Sequence, residues 1–268
     1  MEKCLNCAAE LHGKFCHECG QKVLDPSDRT LKHLVYQFLG SAFFLENNFA
    51  KNLWTLLTKP GKLPVDFIEG RRKRWMPPFS LFLLVNLFYF LYSPLSDLNL
   101  GLDEQLYQYH HRGLANKLVN AKLRDEGVTM EQYAQEYNKK STSYSNSLIV
   151  LHIPIFAGFL SLIYYRKKYL LADHFIYGIY FFAFVLVLGL IQVGLIYAFI
   201  HSIGKVIFNI TGFGFTFFIL WYLFFSLKRT YKQKPWKALL TVFPVFFAFL
   251  VCHLLYRTIL FLIIFVVT

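Results

Sequence analysis

The chain has 268 residues, of which 56% are hydrophobic and 19% aromatic, thirty of them Phe. This composition excludes both an ordinary water-soluble domain and a disordered polar chain. The formal net charge of +12 raises nucleic acid as a partner, but Lys and Arg stand in short runs beside apolar segments, as membrane-anchoring charges do, and no acidic residue follows Asp173.

The first two dozen residues differ from the rest. Cys4-Leu-Asn-Cys7 and Cys16-His-Glu-Cys19-Gly20 are separated by eight residues. Each pair suits a knuckle whose two thiolates face one cation, and two knuckles complete a four-sulfur tetrahedral site. So short a segment cannot bury a core, so residues 1–24 are expected to be a ribbon folded by one ion on Cys4, Cys7, Cys16 and Cys19. Zinc suits this ligand set. Iron in a rubredoxin-like site and a redox CxxC remain open on sulfur geometry alone. No apolar core region lies between Met1 and Gly20, so the head is expected in the reducing cytosol. Any nucleic-acid binding would fall to this head.

Beyond Asp25-Pro-Ser-Asp28, residues 25–78 show helical apolar stripes too short to span a bilayer. Leu31, Leu34, Val35, Phe38, Leu39 and Ala42 form one; Phe49, Leu53, Leu56 and Leu57 form the next, ending at Lys59-Pro60-Gly61. Pro64 opens a third short helix through Val65, Phe67 and Ile68. These predict amphipathic helices at the cytosolic face of a bilayer. Arg71, Arg72, Lys73 and Arg74, followed by Trp75, read as a basic anchor on anionic headgroups with an indole at the interface.

The first span is predicted at 79–96, roughly 27 Å of helix. Residues 97–146 carry seven acidic and six basic side chains, helical periodicity, and a Thr129-Met-Glu-Gln132 capping-box pattern. They predict an extracytoplasmic helical hairpin, with Tyr107, Tyr109, Tyr133, Tyr137 and Tyr144 against the outer headgroups. Residues 147–268 then predict a four-span bundle at about 147–165, 175–200, 206–227 and 238–267, with Pro244 a place where the last could break. Placing every basic loop inside gives five crossings, a cytosolic N-terminus and an extracytoplasmic C-terminus.

Ionisable groups at membrane depth are few. His253 and Arg257 share one face of the last span, and His152, Gln192 and Asn209 fall in the outer halves of theirs. Arg257, His253 and His152 therefore form a candidate site for a lipid or anion, phosphate suiting a guanidinium best. The plainer alternative is that Arg257 snorkels to the outer interface and the histidines pack. Cys252 reads as a small core hydrophobe, and Asp173 as a helix N-terminal carboxylate. Gly189, Gly194, Gly212 and Gly214 suit close helix approach. No nucleotide-binding, zincin or hydrolase-elbow motif is present, nor paired carboxylates within a span.

The succession of CxxC…FCxxCGQK, Leu-Leu-Thr-Lys-Pro-Gly-Lys (56–62) and Phe-Ile-Glu-Gly-Arg-Arg-Lys-Arg-Trp-Met-Pro-Pro-Phe (67–79) resembles an uncharacterised family of bacterial polytopic membrane proteins with a zinc-ribbon head. The resemblance covers about residues 1–92. It implies zinc at Cys4, Cys7, Cys16 and Cys19 and an address in the bacterial cytoplasmic membrane, and brings no activity.

The expected protein is thus an all-α, five-span membrane protein with a zinc ribbon, and not an enzyme. It is expected to act as scaffold, regulator or conduit, as a homo-oligomer or with a cytosolic partner on Asn6, Lys14 and His17. Transport or lipid and anion handling through Arg257, His253 and His152 is the alternative.

Overall fold

A computed structural model of the chain describes residues 2–25, 28, 30–32, 48–92, 100–166 and 168–268, of which 146 and 199–210 are described by their backbone alone. The stripe predicted over 31–42 lies largely outside the described residues. The helices are α1 (Phe49–Thr58), α2 (Lys62–Ile68), α3 (Pro78–Tyr92), α4 (Leu102–Tyr107), α5 (Arg112–Glu126), α6 (Met130–Leu148), α7 (His152–Ile163, after a short 3₁₀ turn at Ile149–Leu151), α8 (Leu171–Thr230) and α9 (Pro235–Val267). Among the described residues there is no strand, only isolated bridges at Lys3–Glu10 and Phe15–Lys22.

Local chemistry sets the helix ends. Gly61 takes a left-handed φ of 75° to start α2, which side chains with a Cβ resist. Thr129 and Gln132 form the reciprocal capping box that opens α6. Gly127 closes α5 with a φ of 67°. Pro235 opens α9, where its missing N–H costs nothing. The helix then runs unbroken through Pro244.

The two ends of α8 lie side by side. A straight helix would hold Phe184 and Tyr222 roughly 57 Å apart, at 1.5 Å per residue; their rings stack at 3.8 Å. The Tyr177 and Ser226 hydroxyls are 2.7 Å apart, and His174 Nδ1 lies 2.8 Å from the Tyr231 hydroxyl. The chain therefore reverses between Phe184 and Tyr222, the interval in which the sequence puts its turn. The arms Leu171–Ala198 and Thr211–Thr230 are antiparallel.

The other helices pack around the first arm. Phe79 meets Phe175, and Tyr89 lies against Gly189, so α3 runs parallel to it. A Cβ on Gly189 would approach the Tyr89 ring to 2.9 Å, while Gly194, Gly212 and Gly214 have nothing within 4 Å. Among the described residues, Gly189 is thus the one of these four glycines that serves a close approach. His152 meets Phe182 and Tyr164 meets His174, so α7 runs antiparallel. Phe249 of α9 sits on Phe181, and Cys252 is buried, its thiol donating to the His152 carbonyl.

Among the described residues, three segments are long and apolar enough to cross a membrane: Leu171–Ala198, Thr211–Thr230 and Pro235–Val267. Of the remaining two expected spans, α3 is described for 15 residues, to Tyr92, and residues 93–99 lie outside the described residues. α7 covers 12 residues of the span expected at 147–165, and the chain bends by 57° where that span begins, between the paired helices Met130–Ser145 and Ile149–Ile163. Counted as one, that bent pair makes a fourth.

The molecule has two unlike ends. At one, α2, Lys168–Leu170 and the α8–α9 junction line a cavity together with Leu5 and Leu24 of the cysteine-rich head. At the other, α4, α5 and α6 pack on the last turns of α9. Tyr256 donates to the Ser145 carbonyl, Lys122 to that of Phe265, and Lys140 to that of Val267. Tyr133 and Tyr137, expected among outer headgroups, are instead buried, because this face of α6 covers α9. Tyr107 and Tyr144 are exposed.

Gly61 tests the contact between the two layers at the first end. Its Cβ would fall 2.8 Å from the Ser226 carbonyl oxygen and 2.9 Å from the Ser226 Cα, backbone atoms that cannot turn aside. Gly61→Ala is expected to cost about 1–3 kcal/mol, read as a lowered melting temperature in detergent. Gly113→Ala, where nothing lies within 4 Å, should leave it unchanged or higher; equal values for both would show the contact to be loose.

Candidate metal centre and buried polar cluster

The two CxxC segments fold alike. In the first, the Ala8 N–H donates to the Cys4 carbonyl, Cys4 to Ala9, and Leu11 to Glu2. In the second, Gly20 donates to Cys16, Cys16 to Gln21, and Val23 to Lys14. Every bond of the second turn is the first moved on by twelve residues, and so are the bridges Lys3–Glu10 and Phe15–Lys22. Ala8 and Gly20 both take the left-handed conformation, at φ 65° and 68°. This local repeat is in the cysteine spacing alone; the flanking residues do not advertise it.

The turns bring the four Sγ atoms within 4.8 Å of one another. Cys4 and Cys19 are 3.7 Å apart, Cys7 and Cys16 3.5 Å. A tetrahedron with metal–sulfur bonds of 2.3 Å has edges of about 3.8 Å, so the set fits one ion without rearrangement. All four thiols are free of disulfides. Four sulfur ligands fill such an ion's coordination, which supplies folding free energy and leaves no open position for a substrate.

The head sits on the basic run. Buried Gln21 donates from Nε2 to the Gly70 carbonyl at 2.8 Å, and its Oε1 accepts the N–H groups of Arg72 and Lys73. Asn6 accepts from Arg74 through its side chain at 3.1 Å and its carbonyl at 2.5 Å. Leu5 and Leu24 rest on Gly70, where a Cβ would meet them at 2.6 and 2.8 Å. Arg72 stacks over Phe67 and donates to the carbonyls of Phe67 and Asp28. Of the cations assigned from sequence to headgroups, Arg72 and Arg74 thus have protein partners, as does Arg71 through Asp66 and Glu69, while Lys73 is exposed; Asn6 is engaged within the chain, with Lys14 and His17 at the surface.

Asp66 ties this junction to α2. Its buried carboxylate accepts from Lys62 at 3.0 Å, from Arg71 Nε at 2.7 Å and from the Trp75 indole at 2.9 Å. Burial raises its pKa, but the hydrogen bonds of Lys62, Arg71 and Trp75 outweigh that and hold it below the usual carboxylate range. Trp75, expected at the lipid interface, is buried instead because its N–H has this partner. Glu69 bridges Arg71 at 2.6 Å and Lys232 at 3.0 Å, linking α2 to the α8–α9 junction.

A second cluster lies at the opposite end of the bundle. His152 Nε2 is 3.4 Å from His253 Nδ1, and Arg257 Nε donates to His253 Nε2 at 3.1 Å. The structure therefore brings together the three residues singled out in sequence. Arg257 is 1% exposed, covered by the hairpin, with its guanidinium 4.7 Å from the Tyr109 ring centre. Snorkelling to water is not its arrangement. Tyr109 went unrecognised as a partner because it lies far away in sequence, on a segment read as a separate domain. Gln192 makes no hydrogen bond to these groups among the described residues, and the side chain of Asn209 lies outside them.

Beside this cluster, His111 is buried with Nε2 2.8 Å from Gln105 Oε1 and its ring against Phe261. Burial, aided by the charges of His110 and Arg257, lowers its pKa to about 4. A histidine with a depressed folded pKa adds stability above its unfolded pKa that is lost as pH falls toward the folded one. The melting temperature should therefore drop between about pH 6.5 and pH 4, and the drop should shrink in His111→Gln. An unchanged pH profile in that variant would place the acid sensitivity elsewhere.

A family model described as a protein of unknown function (DUF3667) matches residues 46–90. The match takes in α1, α2, the basic run and most of α3, including both sequence stretches 56–62 and 67–79 that carry the resemblance, so this part of the chain is similar to an uncharacterised family. It begins after the four cysteines and ends before the bundle. No curated protein and no solved structure matches the chain.

Proposed function

We propose that this is a non-enzymatic protein of the bacterial cytoplasmic membrane. It crosses five times, with a zinc-bound head on the cytosolic side acting as a rigid cap for a scaffold or regulatory bundle. One observation carries the proposal: the thiol-held head is hydrogen-bonded through Gln21 and Asn6 to the chain segment that leads into the apolar helices. A metal at a closed four-sulfur site would set the shape of this cap, and the cap would set the approach of α3. The alternating directions of α3, α7, the two arms of α8 and α9 support five passes, and the gathering of basic turns at the head's end supports a cytosolic address for it. Lys14, Phe15 and His17 on the outer face of the head offer a surface for a cytosolic partner or a second copy.

Metal content and labelling test this together. Cys16→Ser should lose the bound zinc, measured by elemental analysis of purified protein, while the protein still extracts with the membrane fraction. In intact cells, an impermeant thiol reagent should leave Cys7 unlabelled and modify a cysteine placed at exposed Lys117 in the hairpin. Full metal retention by Cys16→Ser would remove the four-sulfur site, and labelling of Cys7 from outside would invert the topology.

The contact of His152, His253 and Arg257 favours a second reading, in which the bundle handles an anion or a phosphate-bearing lipid on its outer side. Inorganic phosphate should then raise the melting temperature of the wild type and not of Arg257→Gln. Equal shifts in the two would leave the cluster as packing only.

A further inference from the structure

We infer that the groove between the end of α7 and the start of α9 is a binding site for one anionic phospholipid. The groove encloses about 270 Å³. Its wall is apolar, from Ile163 and Leu240, and its rim carries Arg166 and Lys237 beside the polar groups of Tyr164 and Gln233. The cations have no ion pair among the described residues. The reason is visible in the sequence: no acidic residue occurs from 137 to 172 or from 174 to 268, and these stretches supply every wall of the groove. Each cation is set beside an aromatic ring rather than a carboxylate. Arg166 lies over Tyr165 and donates from Nε to its hydroxyl at 2.7 Å, while Lys237 lies 5.2 Å from the centre of the Trp236 ring.

A basic rim alone would suit any small anion. The apolar continuation decides between them. Next in sequence to the apolar wall residues Ile163 and Leu240, the side chains of Leu162 on α7 and Leu239 on α9 are exposed, as is that of Phe243, which suits acyl chains below a headgroup. Basic pockets between membrane helices near the cytosolic face hold lipid phosphates in this way, and the guanidinium of Arg166 matches a phosphate's paired oxygens. This site is distinct from the basic run at Arg71–Arg74, whose arginines already have protein partners: Asp66 and Glu69 for Arg71, the Asp28 and Phe67 carbonyls for Arg72 and Asn6 for Arg74. The inference rests on the membrane reading above, because it requires α7 and α9 to stand in lipid.

The test uses the full-length protein in phosphatidylcholine nanodiscs doped with phosphatidylglycerol. After mild delipidation, native mass spectrometry should find phosphatidylglycerol retained in preference to phosphatidylcholine. The Arg166→Gln/Lys237→Gln variant should retain it roughly 30-fold more weakly, each cation near a membrane surface contributing about 1 kcal/mol. A variant of equal charge change in the hairpin, Lys117→Gln/Lys139→Gln, should behave as wild type. Equal retention by the groove variant would overturn the site, and so would displacement of the lipid by millimolar inorganic phosphate, which would make the occupant a free anion. Failure of the wild type to enter nanodiscs would instead count against the membrane reading, so the two failures are distinguishable.

Discussion

The pairing of the two arms of α8 is the interaction on which the molecule hangs. Phe184 stacks on Tyr222, Tyr177 meets Ser226, and His174 meets Tyr231, so one seam of aromatic faces and hydroxyls closes the open end of the hairpin. In hydrocarbon, lipid tails are as apolar as leucine, and helices associate through close packing and shared hydrogen bonds rather than through exclusion of water. A seam of stacked rings closed by hydroxyl contacts answers that requirement. The first arm then serves as the post on which α3, α7 and α9 pack.

Much of this was legible in the residues. Helices such as Phe49–Thr58, Lys62–Ile68 and Met130–Leu148 follow from apolar periodicity, Pro and Gly punctuation and a capping box, all local signals. The reversal of α8 followed from a cation and polar residues between two apolar runs. Less legible was what each polar side chain would find. Trp75 and Arg71 look like interface residues when read beside Pro77-Pro78, yet both turn to Asp66, a carboxylate a few residues upstream in a short helix that sequence could only outline. Tyr137 and Tyr109 read as surface aromatics because hairpin 97–146 was read as standing apart. The burial of Tyr137 and the contact of half-buried Tyr109 with Arg257 depend on the last turns of α9 extending beneath the hairpin, between residues more than a hundred positions apart, which no period or motif announces.

The candidate centre divides in the same way. Ligand identity came from spacing, since two CxxC pairs eight residues apart leave little freedom. The attachment of the head did not, because Gln21 and Asn6 are common polar residues whose partners are backbone groups about fifty positions on and the Arg74 guanidinium sixty-eight positions on. The outer cluster was found for the opposite reason. An arginine and a histidine four apart in an apolar helix are conspicuous, and membrane depth then put His152 at the same level. What depth could not say was that the hairpin would seal them over.

The twelve-residue repeat in the head has a structural corollary. Two knuckles with the same hydrogen bonds can exchange places about the ion with little change to its ligands, so the thiolates by themselves do not dictate which way round the head faces. The register is broken by two unequal pairs: Gln21 corresponds to Ala9, and Asn6 to Glu18. Turned about, the head would offer a methyl group to the carbonyl of Gly70 and to the amides of Arg72 and Lys73, stranding all three. A single carboxamide thus acts as the key that gives a nearly two-fold object one seat.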